Sequence, residues 1–170
     1  MEELDNTSIE KPKRPNFLVA LIILSAVSMV MSLSTSISGL SSGAPSEDER
    51  EAYIADQYVS INELKDQGFD GMAEVLEEVL LMTVYQNEHV YTSYYWLTLL
   101  YTLLGMAAIV LMFQLRKLGF HLYVIYSLAP IIVTYILIPV SMIPSFIIIV
   151  SLLVSLLFCV LYGLNLKYMK

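Results

Sequence analysis

Chemistry in a protein needs groups that exchange protons, attack carbon or phosphorus, or hold metals. In these 170 residues such groups are few and far apart. The histidines are His89 and His121, and the single cysteine is Cys159. The sixteen Asp and Glu residues fall into two clusters, four in the first ten residues and twelve within Pro45–Ser93. No HExxH, GxSxG or P-loop pattern occurs, and the histidines do not have the spacing of a metal pair. Asp66-Gln67-Gly68-Phe69-Asp70-Gly71 offers too few oxygens at the spacing of an EF-hand loop, and an isolated His89 does not make a zinc site. One cysteine can form neither a CxxC motif nor an intramolecular disulfide. The expectation is a protein that is not an enzyme, with no catalytic, cofactor-binding or metal-binding residues and no cofactor.

What remains is a set of small polar residues inside apolar runs. Ser25, Ser28, Ser32, Ser36 and Gly39 recur at steps of three or four. Ser151, Ser155, Cys159 and Gly163 recur at steps of four. Each set marks one side of a helix, where small side chains let backbones approach closely in lipid and hydroxyls bond across the contact. Both are therefore candidate packing faces. The first four serines would alternatively line a path if several copies assembled. Glu74, Glu77 and Glu78 form a candidate surface for a basic partner, against the simpler reading of a solvated face.

These residues need elements to position them, and the charge pattern supplies those. Apolar residues make up 57% of the chain and charged residues 15%, against roughly a quarter charged in soluble domains. Phe17 to Ser46 carries no charge; His89 to Leu115 and Leu118 to Leu166 carry none beyond a protonated histidine. A helix needs about 20 apolar residues to cross a bilayer, so the first two runs hold one span each and the third holds two. The expected fold is all-α, a four-helix integral membrane protein with spans at 17–40, 94–115, 120–138 and 145–164. Residues 1–16 and 165–170 are tails. The first span reads as an uncleaved signal anchor: its run is long for a signal core, and Pro45 would follow the small residues Ser42 and Ala44 at a cut.

Residues 45–93 are the acidic stretch between spans 1 and 2. Ser46-Glu47-Asp48-Glu49 fits a capping box, helical spacing follows at Ile54, Tyr58, Ile61 and Leu64, and Gly68 is a natural stop. A second arm begins near Asp70 and meets no proline before Pro130. The expected object is an extracytoplasmic helical hairpin whose second arm continues as one helix into the second span. Tyr91, Tyr94, Tyr95 and Trp96 crowd the start of that span, where aromatic side chains anchor helices at headgroup depth. Gly119 is expected to permit the tight turn into the third span. Pro130 should kink that span or cost it a backbone bond.

The cations set the orientation. Lys11, Lys13, Arg14, Arg116, Lys117, Lys167 and Lys170 fall on one side of a four-span chain, and only Arg50 and Lys65 fall on the other. The positive-inside rule puts both termini in the cytoplasm and residues 45–93 outside the plasma (bacterial inner) membrane. That topology hides the acceptor pattern Asn6-Thr7-Ser8 from glycosylation. The Arg116-Lys117 turn and the entry Gly119-Phe120-His121-Leu122-Tyr123 resemble those of small four-pass bacterial membrane proteins of uncharacterised function. The resemblance covers about half the chain and implies no activity and no functional residues. Expected partners are membrane lipids and other integral membrane proteins; no basic patch suits nucleic acid. The functional expectation is an accessory or scaffold subunit of a larger membrane complex. The alternative is a small oligomeric channel or carrier lined by the serine-rich first span.

Overall fold

A computed structural model describes residues 15–170. Lys11, Lys13, Arg14 and the Asn6-Thr7-Ser8 pattern lie outside the described residues. Among the described residues the fold is all-α, with no strand. Six helices follow one another: α1 (Asn16–Ser42), α2 (Glu47–Asp66), α3 (Asp70–Tyr85), α4 (Tyr91–Phe113), α5 (Lys117–Leu137) and α6 (Ser145–Gly163). Four helical stretches are long and apolar enough to cross a membrane, and they contain α1, α4, α5 and α6.

The acidic stretch folds as its local signals dictate. Ser46 caps α2: its Oγ accepts from the Glu49 amide at 3.3 Å, and the Ser46 amide donates to Glu49 Oε2 at 2.8 Å. Three acids in the first turn suit the positive end of the helix dipole. At the other end Gly68 takes φ +81°, which a residue with a Cβ adopts at a cost. The Gly68 amide then bonds to Lys65 O and the Phe69 amide to Leu64 O, each at 2.9 Å, closing the helix. α2 and α3 lie side by side over a thin core of Ile61, Ala73 and Leu80.

α3 and α4 are joined without interruption, so helix runs from Asp70 to Phe113 over 44 residues. At 1.5 Å per residue this is about 66 Å. The join is a π-helical turn at Gln86–Val90, a wider turn that the residue pattern did not announce. It shifts the phase between the face α3 turns to α2 and the face α4 turns to the bundle.

In the bundle α4 packs between α1 and α5, and α6 lies along α5. The main core sits toward the Arg116–Lys117 end, where Leu18, Met29, Ala108, Met112, Tyr123 and Tyr162 are buried together. Glycines permit the closest crossings, Gly119 and Gly105 among them. A Cβ on Gly119 would lie 2.6 Å from the Met112 amide nitrogen and 2.7 Å from Ala108 O, so α5 touches the backbone of α4 there. One on Gly105 would meet Met29 Cε and the Tyr126 ring at 2.7 Å.

The turn between α4 and α5 corrects one expectation. It is made by Leu115, not Gly119. Leu115 takes φ +60°, and the Leu115 and Arg116 amides bond to Met112 O and Leu111 O at 2.9 Å. A left-handed leucine costs about 1–2 kcal/mol. Its side chain is buried in the core, which contributes about 1.5–3 kcal/mol and offsets that strain. Gly119, already inside α5, serves the helix crossing instead. Pro130 also lies inside α5; having no N–H, it leaves the Tyr126 carbonyl without its i+4 donor.

Candidate functional site

Two regions stand apart from the packed core: a crevice among the apolar helices, and the tip of the acidic arm.

The crevice opens between α1, α5 and α6 and encloses about 510 Å³. α1 and α6 bring Ser25, Ser28, Ser151 and Ser155 to it, and α5 brings Tyr123, Tyr126, Ser127 and Pro130. Leu24, Ile131, Val150, Val154 and Phe158 make the apolar walls. One end is closed by Tyr162, whose hydroxyl donates to Ser25 Oγ at 2.9 Å in a buried contact between α6 and α1. Along one wall Ser155 Oγ donates to Ser127 O at 2.6 Å, and Cys159 Sγ lies 3.3 Å from Ser127 Oγ. Ser127 is one point at which α6 is fastened to α5; the Tyr123 and Tyr162 rings, 4.5 Å apart, are another. The two sequence-marked faces therefore meet in space, although they are more than a hundred residues apart.

The first face does not act as one unit. Ser25 and Ser28 line the crevice, but Ser32 and Ser36 turn toward the α1–α4 contact or into the helix itself. Ser32 Oγ lies 2.9 Å from Thr102 Oγ1, and the buried Ser36 donates to Ser32 O at 2.8 Å. Gly39 receives the Tyr95 ring, which would stand 2.6 Å from a Cβ there. On the second face Ser151 is half-buried in the crevice, and Gly163 faces Phe120 with ordinary spacing, 3.8 Å from a would-be Cβ. Thr98, Thr102, Ser127 and Tyr162 carry no mark in the sequence reading, and Tyr123 enters it only as part of the start of the third span. For α4 the signal was present: Thr98, Thr102 and Gly105 are small residues at steps of four and three, the same mark that exposed the α1 and α6 faces.

The aromatic group divides similarly. Tyr91 donates to Gly39 O at 3.1 Å, and Tyr95 stacks obliquely on Tyr91 with centroids 4.7 Å apart. Tyr94 meets Tyr95 edge-on at 5.6 Å, and Trp96 is exposed. Two of the four residues marked as anchors thus bind α4 to α1, and Trp96 is the one that faces fully outward.

On the arm, Glu77 is not free for a partner. It accepts from Lys65 Nζ at 2.6 Å, and this bond holds α3 to α2. The pairing raises the Lys65 pKa above its ordinary value, the Glu77 hydrogen bond being the largest cause. Glu74 is exposed. Glu78 lines a hollow of about 500 Å³ between α3 and the Pro139–Pro144 turn, together with Tyr85, Glu88 and His89. That turn therefore seats against α3, which its composition did not reveal. His89 stacks on Tyr85 at 4.5 Å and lies 4.0 Å from Glu88, which also faces Arg50 at 3.8 Å.

The arm's most unusual feature is apolar. Phe69 is 52% exposed and Met72 58% exposed, one helical turn apart where α2 gives way to α3. Tyr58 and Val59 are exposed on α2. Asp66 precedes the pair and Asp70 lies between its two members in sequence. No group of three or more His, Cys, Asp or Glu among the described residues is arranged to hold a metal ion.

Comparison of the chain with protein-family models, with curated proteins and with solved structures finds no match.

Proposed function

We propose that this protein is a non-catalytic accessory or scaffold subunit of a larger membrane assembly, such as an envelope machine for export, insertion or transport. In this reading α1, α4, α5 and α6 cross the plasma membrane with both chain ends in the cytoplasm, and α2–α3 stand outside as a hairpin. The cation distribution favours that orientation, because Arg116, Lys117, Lys167 and Lys170 share one end.

The observation that carries the reading is the exposed Phe69–Met72 pair. Exposed apolar residues on helices in lipid are ordinary. A bare phenylalanine and methionine at the tip of an acidic, water-facing arm are not, and apolar surface rimmed by polar residues marks contact sites. The candidate partner surface therefore moves from Glu74, Glu77 and Glu78 to the tip, with Asp66 and Asp70 as its polar rim. The serine-lined channel has less support, since Ser32 and Ser36 are engaged in helix packing rather than aligned with Ser25 and Ser28.

The test is gentle detergent extraction of the intact protein from its own membrane. The reading expects a discrete species heavier than one chain that contains a second protein. Deleting residues 46–92 should release that protein. Extraction of a single monodisperse species containing this chain alone contradicts it.

A further inference from the structure

Four cations gather at one end of the bundle although they come from two distant parts of the chain. The Lys170 amide donates to Leu115 O at 2.7 Å, and the Lys117 amide donates to Lys170 O at 2.9 Å. These two main-chain bonds tie the segment after α6 to the α4–α5 turn, and so bring Lys167 and Lys170 beside Arg116 and Lys117. All four side chains are exposed. Among the described residues no carboxylate lies within ion-pair distance of any of them. Lys167 stacks over the Tyr168 ring at 5.1 Å, a contact that leaves its charge unneutralised. Holding like charges together costs free energy unless an anion joins them.

The crevice lies just beyond this cluster. Along α5, Lys117 precedes the lining residue Tyr123 by six residues, about 9 Å of helix. Along α6, Phe158 precedes Lys167 by nine residues, about 14 Å if helical throughout. On α6 the small residues Cys159 and Gly163 lie between, Gly163 packing beside Phe120 of α5. The cations thus stand roughly a headgroup's depth from an apolar-walled space that Tyr162 closes toward them and that a lipid chain lying along α5 and α6 would enter from its open side.

We propose that this end of the bundle binds an anionic phospholipid, its phosphate held by Arg116, Lys117, Lys167 and Lys170 and one acyl chain lodged in the crevice between α1, α5 and α6. Charge complementarity selects an anionic headgroup, and basic clusters at the ends of transmembrane helices bind such headgroups. The adjoining apolar space selects a lipid over a soluble anion. The inference does not depend on the scaffold reading, because it needs no protein partner.

The experiment is native mass spectrometry of the full chain in detergent, titrated with phosphatidylglycerol or with phosphatidylcholine of the same acyl chains. Phosphatidylglycerol is expected to bind at least about tenfold more tightly. Each Lys or Arg near an anionic headgroup contributes about fivefold in affinity, so Lys167→Ala with Lys170→Ala should weaken phosphatidylglycerol roughly 30-fold. Lys167→Arg with Lys170→Arg should restore it. Ser28→Leu with Ser151→Leu fills the crevice and should weaken the long-chain lipid while sparing a dihexanoyl analogue. Equal binding of the two lipids by the unmodified protein overturns the proposal without any variant. So does unchanged binding by the alanine pair, by the leucine pair, or full competition by millimolar inorganic phosphate.

Discussion

The two ends of this molecule are held together by different physics. At the Arg116–Lys117 end, helices meet backbone to backbone: Gly119 lets α5 press on Met112 and Ala108, and Leu18, Met29, Tyr123 and Tyr162 close the space around them. In the acidic arm, α2 and α3 share a small core, Ile61, Ala73 and Leu80 with Ile54, Leu64, Leu76 and Val84 packed partly buried against it, and lean on a capping box, a glycine stop and the Lys65–Glu77 bond. The first construction has no room for change. The second leaves most of its surface free, including Phe69 and Met72, and so can present a surface to a partner. The proposed accessory role rests on this difference between a tightly packed base and a lightly built, exposed arm.

The sharpest way to break this contrast is at Gly119. Gly119→Val places atoms where backbone stands at 2.6 Å. Backbone cannot rotate aside, so the loss should exceed about 3 kcal/mol, at or above the upper end for overpacked cores. Thermal unfolding in detergent should show the protein failing to yield a monodisperse species. Gly105→Ala meets the Met29 methyl and the edge of the Tyr126 ring, side chains that can shift where backbone cannot. It should cost about 1–2 kcal/mol, seen as a lowered midpoint with folding retained.

Next in size is Tyr162→Phe. It removes the hydroxyl that ties α6 to Ser25 on α1. Interhelical hydrogen bonds between apolar helices contribute about 0.6–1.7 kcal/mol, and the midpoint should fall accordingly.

The smallest effect belongs to the arm. The Ser46 amide, then the Ser46 hydroxyl, hold the Glu49 carboxyl below its ordinary pKa. A depressed carboxylate stabilises the folded form above the usual glutamate range, and the contribution is lost as pH falls through the lowered value. Acidification from neutral pH should therefore fray the start of α2 while the bundle stays intact. Amide exchange at Glu49 reads this directly. Glu49→Ala should show the frayed state already at neutral pH and lose most of the pH response.

The same contrast explains what could be read from the amino-acid sequence. The four apolar stretches, the Ser46–Glu49 box and the Gly68 stop were legible because each is set by neighbours a few residues apart. The contacts that build the crevice were not. Ser25 with Tyr162 and Ser127 with Ser155 join helices whose relative rotation no single stretch encodes. Even the α1 serines, recurring at steps of three and four, are divided by α4: Ser32 meets Thr102, while Ser25 and Ser28 line the crevice. The Leu115 turn escaped notice because burial, a tertiary effect, stabilises a backbone conformation that leucine alone disfavours. The π turn at Gln86–Val90 was hidden for a similar reason, as the seating of α3 on α2 and of α4 on α1 decides the phase between them.

The central claim is that a rigid bundle carries the arm tip to a protein partner. Its most direct test compares the intact protein with Phe69→Ser, Met72→Ser after gentle extraction from native membranes. Both side chains are exposed, so the unfolding midpoint should stay within the small range of surface substitutions, about 0.5 kcal/mol. The account predicts a discrete complex with the unmodified chain and its loss with the variant. A complex that survives the double substitution, or an unmodified chain that extracts alone, would contradict it.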